Sequence, residues 1–145
     1  MRSYVIDASV IMKCFITEDY SDKAMEVIDA HVRGNLSLSA PSLIVYEIGN
    51  VFWKHPQISS EKACTFIERF LDLQISLVHI WSDAELLRNV CNLAKARNVT
   101  FYDASYLSLA ERDETKLVTA DEDIRNRMPD TVILLREFDA VKSSF

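Results

Sequence analysis

Four carboxylates, Asp7, Glu47, Asp103 and Asp121, are the residues of this 145-residue chain on which chemistry could be built. Asp7 stands where the β-branched and aromatic run Tyr4-Val5-Ile6 stops, and Asp121 follows Leu117-Val118-Thr119 in the same way. In a parallel sheet both would open onto the carboxyl edge of the strands, where ligands bind in open α/β folds. Asp7, Asp103 and Asp121 each have an ordinary alternative as helix N-caps. Glu47 does not. Its helical neighbours at i−4, i−3 and i+4 are Leu43, Ile44 and Val51, and no Lys or Arg lies at i±3 or i±4. A carboxylate on that face must be paired with a distant cation, protonated or bound to metal. Together the four suggest a site for a hard cation, magnesium or manganese, both of which prefer oxygen ligands. Two such ions about 4 Å apart can activate a water and steady the leaving oxygen of a phosphodiester.

The elements that must position these groups read as follows. After the first strand, Ala8 to Phe15 is predicted helical. Ser21 is a plausible cap for a helix from Asp22 to Arg33, with Met25, Ile28 and Val32 on one face and Gly34 as its stop. Leu36 to Ser39 alternates like a second strand. Pro41 is expected to open a helix running through Trp53 and ending before Pro56. Ser59 or Ser60 caps the next, with the stripe Ala63, Phe66, Ile67, Phe70 and Leu71. Ile75 to Ile80 is strand-like. Ser82 and Glu85 form a capping box for a helix with Leu86, Val90, Leu93 and Ala94 inward. Asp103 is expected to cap a further helix with Ala104, Leu107 and Ala110 inward. Lys116 to Thr119 is a strand, Asp121 to Arg127 a short helix, with Thr119 and Glu122 as its possible capping box, and Thr131 to Leu134 a last strand. Strands separated by helices mean parallel pairing and an α/β sandwich.

Composition narrows the field. One domain of this size buries roughly two-thirds of its unfolded surface. No apolar run approaches the roughly 20 residues of a bilayer span, and Met1-Arg2-Ser3 leads directly into strand sequence, so a cytoplasmic protein without a signal peptide is expected. Cys14, Cys64 and Cys91 are odd in number and widely spaced, as buried thiols in a reducing compartment would be. His31, His55 and His79 have no short spacing to any Cys, which argues against zinc. Two glycines, Gly34 and Gly49, leave no room for a P-loop or a G-x-G-x-x-G turn. The net charge of −6 lacks the basic footprint of a non-specific nucleic-acid binder, but it also suits a carboxylate cluster awaiting divalent ions.

Four blocks carry a family resemblance: Val5-Ile6-Asp7-Ala8-Ser9-Val10-Ile11-Met12-Lys13, Pro41 to Val51 around Glu47, Tyr102-Asp103-Ala104-Ser105-Tyr106-Leu107-Ser108-Leu109-Ala110, and Leu117-Val118-Thr119-Ala120-Asp121-Glu122. In order and separation the chain resembles the PIN-domain nucleases and, within them, the VapC-type toxins of toxin–antitoxin pairs. The resemblance implies one PIN-like domain over residues 1–145, a three-layer α/β/α fold with a central parallel sheet of about four to five strands. It implies that Asp7, Glu47, Asp103 and Asp121 hold Mg2+ or Mn2+ and that Ser9 and Thr119 orient them; Asp123 sits close enough to Asp121 to help or substitute for it. It further implies metal-dependent endonucleolytic cleavage of RNA by a homodimer inhibited by a small antitoxin. Lys13, Lys54, Arg97, Arg112 and Arg125 are candidates for phosphate contact. The aromatic excess in Phe15, Tyr20, Phe52, Trp53, Phe66 and Phe70 points to a partner-binding groove on the early helices. Two other classes stay open: a non-catalytic module whose acidic pocket binds metal or a partner, and a receiver-type phosphoacceptor domain, against which Glu47 on a helix face counts.

Overall fold

The computed structural model describes residues 2–140; Met1 and residues 141–145 of the expected domain lie outside the described residues. Five strands, β1 (Arg2–Ile6), β2 (Leu36–Pro41), β3 (Ser76–Val78), β4 (Lys116–Thr119) and β5 (Val132–Leu134), form one sheet in the order β3-β2-β1-β4-β5. Every pairing is parallel. Seven α-helices are described: α1 (Ala8–Phe15), α2 (Ser21–Val32), α3 (Ile44–Lys54), α4 (Ser60–Asp72), α5 (Ala84–Arg97), α6 (Phe101–Arg112) and α7 (Glu122–Arg127). The α/β class, the parallel sheet and its strand number match the expectation.

The central strands lose alternation because both faces are covered. Val5 and Ile6 of β1 and Leu117, Val118 and Thr119 of β4 are fully buried. Helix α6 packs on β1, β2 and β4, and α5 packs on α6. Residues Ala104 through Ala110 are all buried, so α6 is a core helix with no polar face along its middle. Helices α1 and α2 pack together, α1 also meets α3, and α3 meets α4. Gly34 ends α2 with φ +80, a left-handed geometry that glycine adopts without steric cost.

Local departures from the expected elements share one cause: neighbouring residues offer the same cap or stripe chemistry. In α2 the buried face is Ala24, Val27 and Ile28, and Met25 and Val32 are exposed. Both sets have helical spacing and share Ile28, and the face centred on Ala24, Val27 and Ile28 is the one packed inside. Ser21 is the first residue of α2 rather than its cap, because its hydroxyl accepts from Glu18 N (2.9 Å) and donates to Ile16 O (3.3 Å). Pro41 closes β2 instead of opening α3; its fixed φ suits an extended strand end too. In α4 only Phe70 is fully buried, and Leu71 is exposed. Asp83, not Ser82, caps α5, accepting from Glu85 N and Leu86 N. Thr100, not Asp103, caps α6.

The aromatic excess is mostly core. Phe15, Phe52 and Phe66 form a cluster with ring centroids 5.0–5.8 Å apart, and Phe52 and Phe70 are sealed from solvent. Of the six aromatics assigned to a partner groove, Trp53 and Tyr20 are exposed. His31 is a staple: Leu38 N donates to its Nδ1 (3.1 Å) and its Nε2 lies 3.0 Å from Leu73 O. The nitrogen that accepts carries no proton, so Nε2–H donates.

Candidate active site

Between β1 and β4 the winding of the sheet reverses, with β2 and β3 on one side and β5 on the other. Such a switch point leaves a crevice at the strands' carboxyl ends. The register sets Ile6 beside Val118, and Asp7 N donates to Val118 O at 3.4 Å. Asp7 and the segment Thr119-Ala120-Asp121 therefore leave the sheet side by side.

Asp7 is the N-cap of α1, as the ordinary reading had it, and much more. Its Oδ1 accepts from Ser9 N (3.1 Å) and Ser9 Oγ (2.5 Å), and its Oδ2 accepts from Thr119 Oγ1 (2.5 Å). Each hydroxyl has one proton and gives it to Asp7. Their oxygens are then free to accept, Ser9 Oγ from Ala120 N (3.0 Å) and Thr119 Oγ1 from Asp121 N (3.1 Å). The two strand ends are thus laced through a carboxylate that accepts three bonds. Burial nevertheless pushes the Asp7 carboxyl up to about 6, against the pull of Ser9 and Thr119, and the Glu47 charge adds to the rise.

Glu47 lies in the first turn of α3, half-buried. The distant cation that could have paired it does not exist among the described residues. Its partner is the Tyr106 hydroxyl, which donates to Oε1 at 2.5 Å. Burial raises the Glu47 carboxyl above its usual range, Tyr106 opposes this, and Asp103 adds to it. Tyr106 is buried in α6, and burial followed by the Glu47 charge keeps its hydroxyl protonated.

Because Thr100 takes the cap of α6, accepting from Asp103 N at 3.0 Å, the Asp103 carboxylate is not spent on it. Burial raises Asp103, and the charge of Asp121, then that of Asp123, raises it further, with Thr100 and Arg127 in opposition. Asp121 is the N-cap of α7, accepting from Asp123 N (2.9 Å), so the Thr119–Glu122 capping box does not form. Asp123 turns outward toward Arg127 Nε (3.5 Å).

The four acids are consequently linked as a chain, Asp7 to Glu47, Glu47 to Asp103, Asp103 to Asp121. Among the described residues none of them forms an ion pair. Nor is any group of three or more His, Cys, Asp or Glu arranged to hold a metal ion as it stands. The donor chemistry still fits a hard divalent cation: all-oxygen ligands, mutually repelling, none ion-paired with a cation among the described residues, and with Arg127 the weakest of the influences on Asp103.

The cations expected to meet phosphate are scattered. Lys13 is turned to Glu18 (3.3 Å) and Asp19 O (2.8 Å). Arg112 is bound to Asp113 (2.9 Å) and Arg125 to Glu137 (2.6 Å). Lys54 and Arg112 end α3 and α6, seven and nine residues past the acids of those helices, roughly 10 and 13 Å along the axis. Arg97 ends α5. Two residues near the acids escaped the sequence reading. Tyr106 lies one turn beyond Asp103, a spacing that carries it toward the same end of α6. Arg127 donates to Asn98 O (2.9 Å) and is the cation whose field reaches Asp103.

The family model for the PIN domain matches residues 4–127 of the chain. Ribonuclease VapC3 of Pyrobaculum aerophilum is 31% identical over 129 residues, covering 86% of this chain and 94% of the relative. Exonuclease VapC9 of the same organism is 31% identical over 96 residues, 66% of this chain and 71% of the relative. Among solved structures, PAE2754 of Pyrobaculum aerophilum superposes with a TM-score of 0.70 at 24% identity, over 93% of this chain and 85% of that one. VapBC2 of Rickettsia felis, bound to a DNA fragment from its promoter, gives 0.68 at 14% identity over 91% and 96%. These two structural likenesses speak to the fold.

Proposed function

The chain belongs to the PIN domain family, and from that premise we propose that it is a nuclease of the VapC kind, an endoribonuclease that hydrolyses RNA phosphodiester bonds with Mg2+ or Mn2+ and acts as the toxin of a type II toxin–antitoxin pair in the cytoplasm. A relative that is 31% identical along nearly its whole length is named a ribonuclease, which supports the reaction class. The observation that carries the reading is Asp7, a largely buried carboxylate laced by Ser9 and Thr119 at a switch point and at the head of a chain of acids through Glu47 and Asp103 to Asp121.

Asp7, Glu47, Asp103 and Asp121 would hold the ion. When bound, it would supply charge stabilisation at the phosphoryl oxygens and make water a stronger acid. The chain's own residues fix the carboxylates. Ser9 and Thr119 orient Asp7, and Tyr106 orients Glu47 and keeps its proton while doing so. Asp121 is the better fourth member than Asp123, because its charge acts on Asp103 more strongly.

A cleft of about 470 Å3 between α3 and α4, lined by Gly49, Phe52, Trp53, Ile58 and Ile67, supports an antitoxin seat. The structures of similar fold include VapBC pairs. A homodimer is part of the same reading. No helix of the described residues is long and apolar enough to cross a membrane.

The test is RNA cleavage by nuclease-free preparations of the parent and of Asp103→Asn. Cleavage by the parent that needs manganese or magnesium, stops in excess chelator and is absent from the variant is expected. Undiminished cleavage in chelator would remove the metal from the mechanism.

A further inference from the structure

The residue immediately before each of two site acids is a tyrosine turned to solvent. Tyr46 precedes Glu47 on α3 and is 80% exposed; Tyr102 precedes Asp103 on α6 and is 62% exposed. Most of the surface of each is left uncovered. Both line one open groove of about 570 Å3, whose other walls are Leu43, Glu47 and Asn50. The groove therefore begins at a site carboxylate and runs out between two phenol rings.

The electrostatics give these rings a role. With a net charge of −6 and four acids at the cleavage site, the protein repels a phosphate backbone before any ion binds. Of the candidate phosphate contacts Lys13, Arg112 and Arg125 are engaged with Glu18, Asp113 and Glu137, and Arg127 with Asp123; Lys54 and Arg97, in no ion pair among the described residues, end α3 and α5. Contacts that do not depend on charge are therefore an advantage for RNA binding here. Base stacking on aromatic rings is such a contact, and every base has a face to offer. A stacked base must be unpaired, since the rings replace its neighbours in a helix.

We propose that Tyr46 and Tyr102 form a stacking platform that receives unpaired bases next to the scissile phosphate. The proposal rests on the nuclease reading of the same site. Asn50, one turn beyond Tyr46, adds an amide with donors and an acceptor for a base edge.

The experiment measures binding and cleavage with the full chain. Binding of a fluorescein-labelled single-stranded RNA 12-mer is followed by anisotropy in Ca2+ and at fixed salt, for the parent, Tyr46→Leu, Tyr102→Leu and both Phe variants. About a tenfold loss of affinity is expected for each Leu substitution. The Phe variants, which keep the ring, should stay within about twofold of the parent. A hairpin stem of the same sequence should bind weakly to all five proteins alike. A 2-aminopurine placed beside the cleavage site should be quenched by the parent and released in the Leu variants. Leu variants that bind and cleave single strands like the parent would overturn the platform while leaving the nuclease intact. A parent that binds and cleaves no RNA in any ion overturns the nuclease reading and the platform with it.

Discussion

Asp7→Asn separates a structural from a metal-binding carboxylate most sharply. The folded protein holds Asp7 near 6 rather than 3.8. At about 1.4 kcal/mol per pKa unit, keeping it ionised costs roughly 3 kcal/mol of stability. The sign follows from linkage. A carboxyl raised on folding contributes stability that is complete below about pH 3.8 and is lost as the pH climbs through 6. Asparagine has no such loss. Against this, the amide nitrogen of Asn faces Thr119 Oγ1, which already accepts from Asp121 N, so one hydroxyl must turn and a bond worth about 1 kcal/mol is weakened. Asp7 also keeps some contact with solvent, which trims the desolvation gain. At pH 7.5, without divalent ions, the variant should be more stable by about 1–2 kcal/mol, a melting temperature higher by roughly 3–8 °C. The gain should shrink steadily as pH falls toward 4. Manganese at about a hundredfold over its Kd should raise the parent by about 2.7 kcal/mol and the variant hardly at all. Thermal melts of both proteins at pH 4 and 7.5, with and without manganese, read all three effects. A variant that melts several degrees below the parent at pH 7.5 without metal would mean that the fold compensates the Asp7 charge, and the reasoning would fail.

Tyr106→Phe removes the donor on Glu47, and metal affinity from calorimetry should fall about tenfold with apo stability changed by about 1 kcal/mol or less. Unaltered affinity would take Tyr106 out of the site. Thr119→Val frees one oxygen of Asp7 and leaves Asp121 N without its acceptor; manganese affinity should drop by about 10–100-fold while the helical circular dichroism stays that of the parent. Gly34→Ala, at φ +80 with open space around it, should cost about 1 kcal/mol in urea unfolding from backbone strain alone, with cleavage unaffected.

The parts of this protein that could be read from its sequence are those in which one residue settles the matter. Asp7 follows a strand too apolar to be anything else, and α1 and β4 have the bounds the sequence suggests. Glu47 was conspicuous because a carboxylate among Leu43, Ile44 and Val51 has no local excuse. Offsets of one to three residues were not legible where chemistry repeats: Thr100 against Asp103, Asp83 against Ser82, the Ala24-Val27 stripe against Met25-Val32. Asp103 illustrates the consequence: Thr100 takes the helix cap that the sequence also offered to Asp103, and the Asp103 carboxylate lies in the field of Asp121. The partner of Glu47 was beyond local reasoning altogether. Tyr106 lies 59 residues away, and only the packing of α6 across the sheet brings it near.

The strand order has a bearing on how the protein is born. β1 is made before the other four strands of its sheet, yet it ends up in the middle of it, and one of its two edges is reserved for β4, which begins at Lys116. At about 5–20 residues per second, roughly 6–22 s pass before that partner is even synthesised. During that interval β1 can pair with β2 alone, and Asp7 lacks the Thr119 hydroxyl that holds its second oxygen. Asp121 does not yet exist. A ribosome that has passed Asp103 but not reached Lys116 therefore carries three strands, three of the acids and no assembled centre, which forms only once Thr119 and Asp121 have been translated.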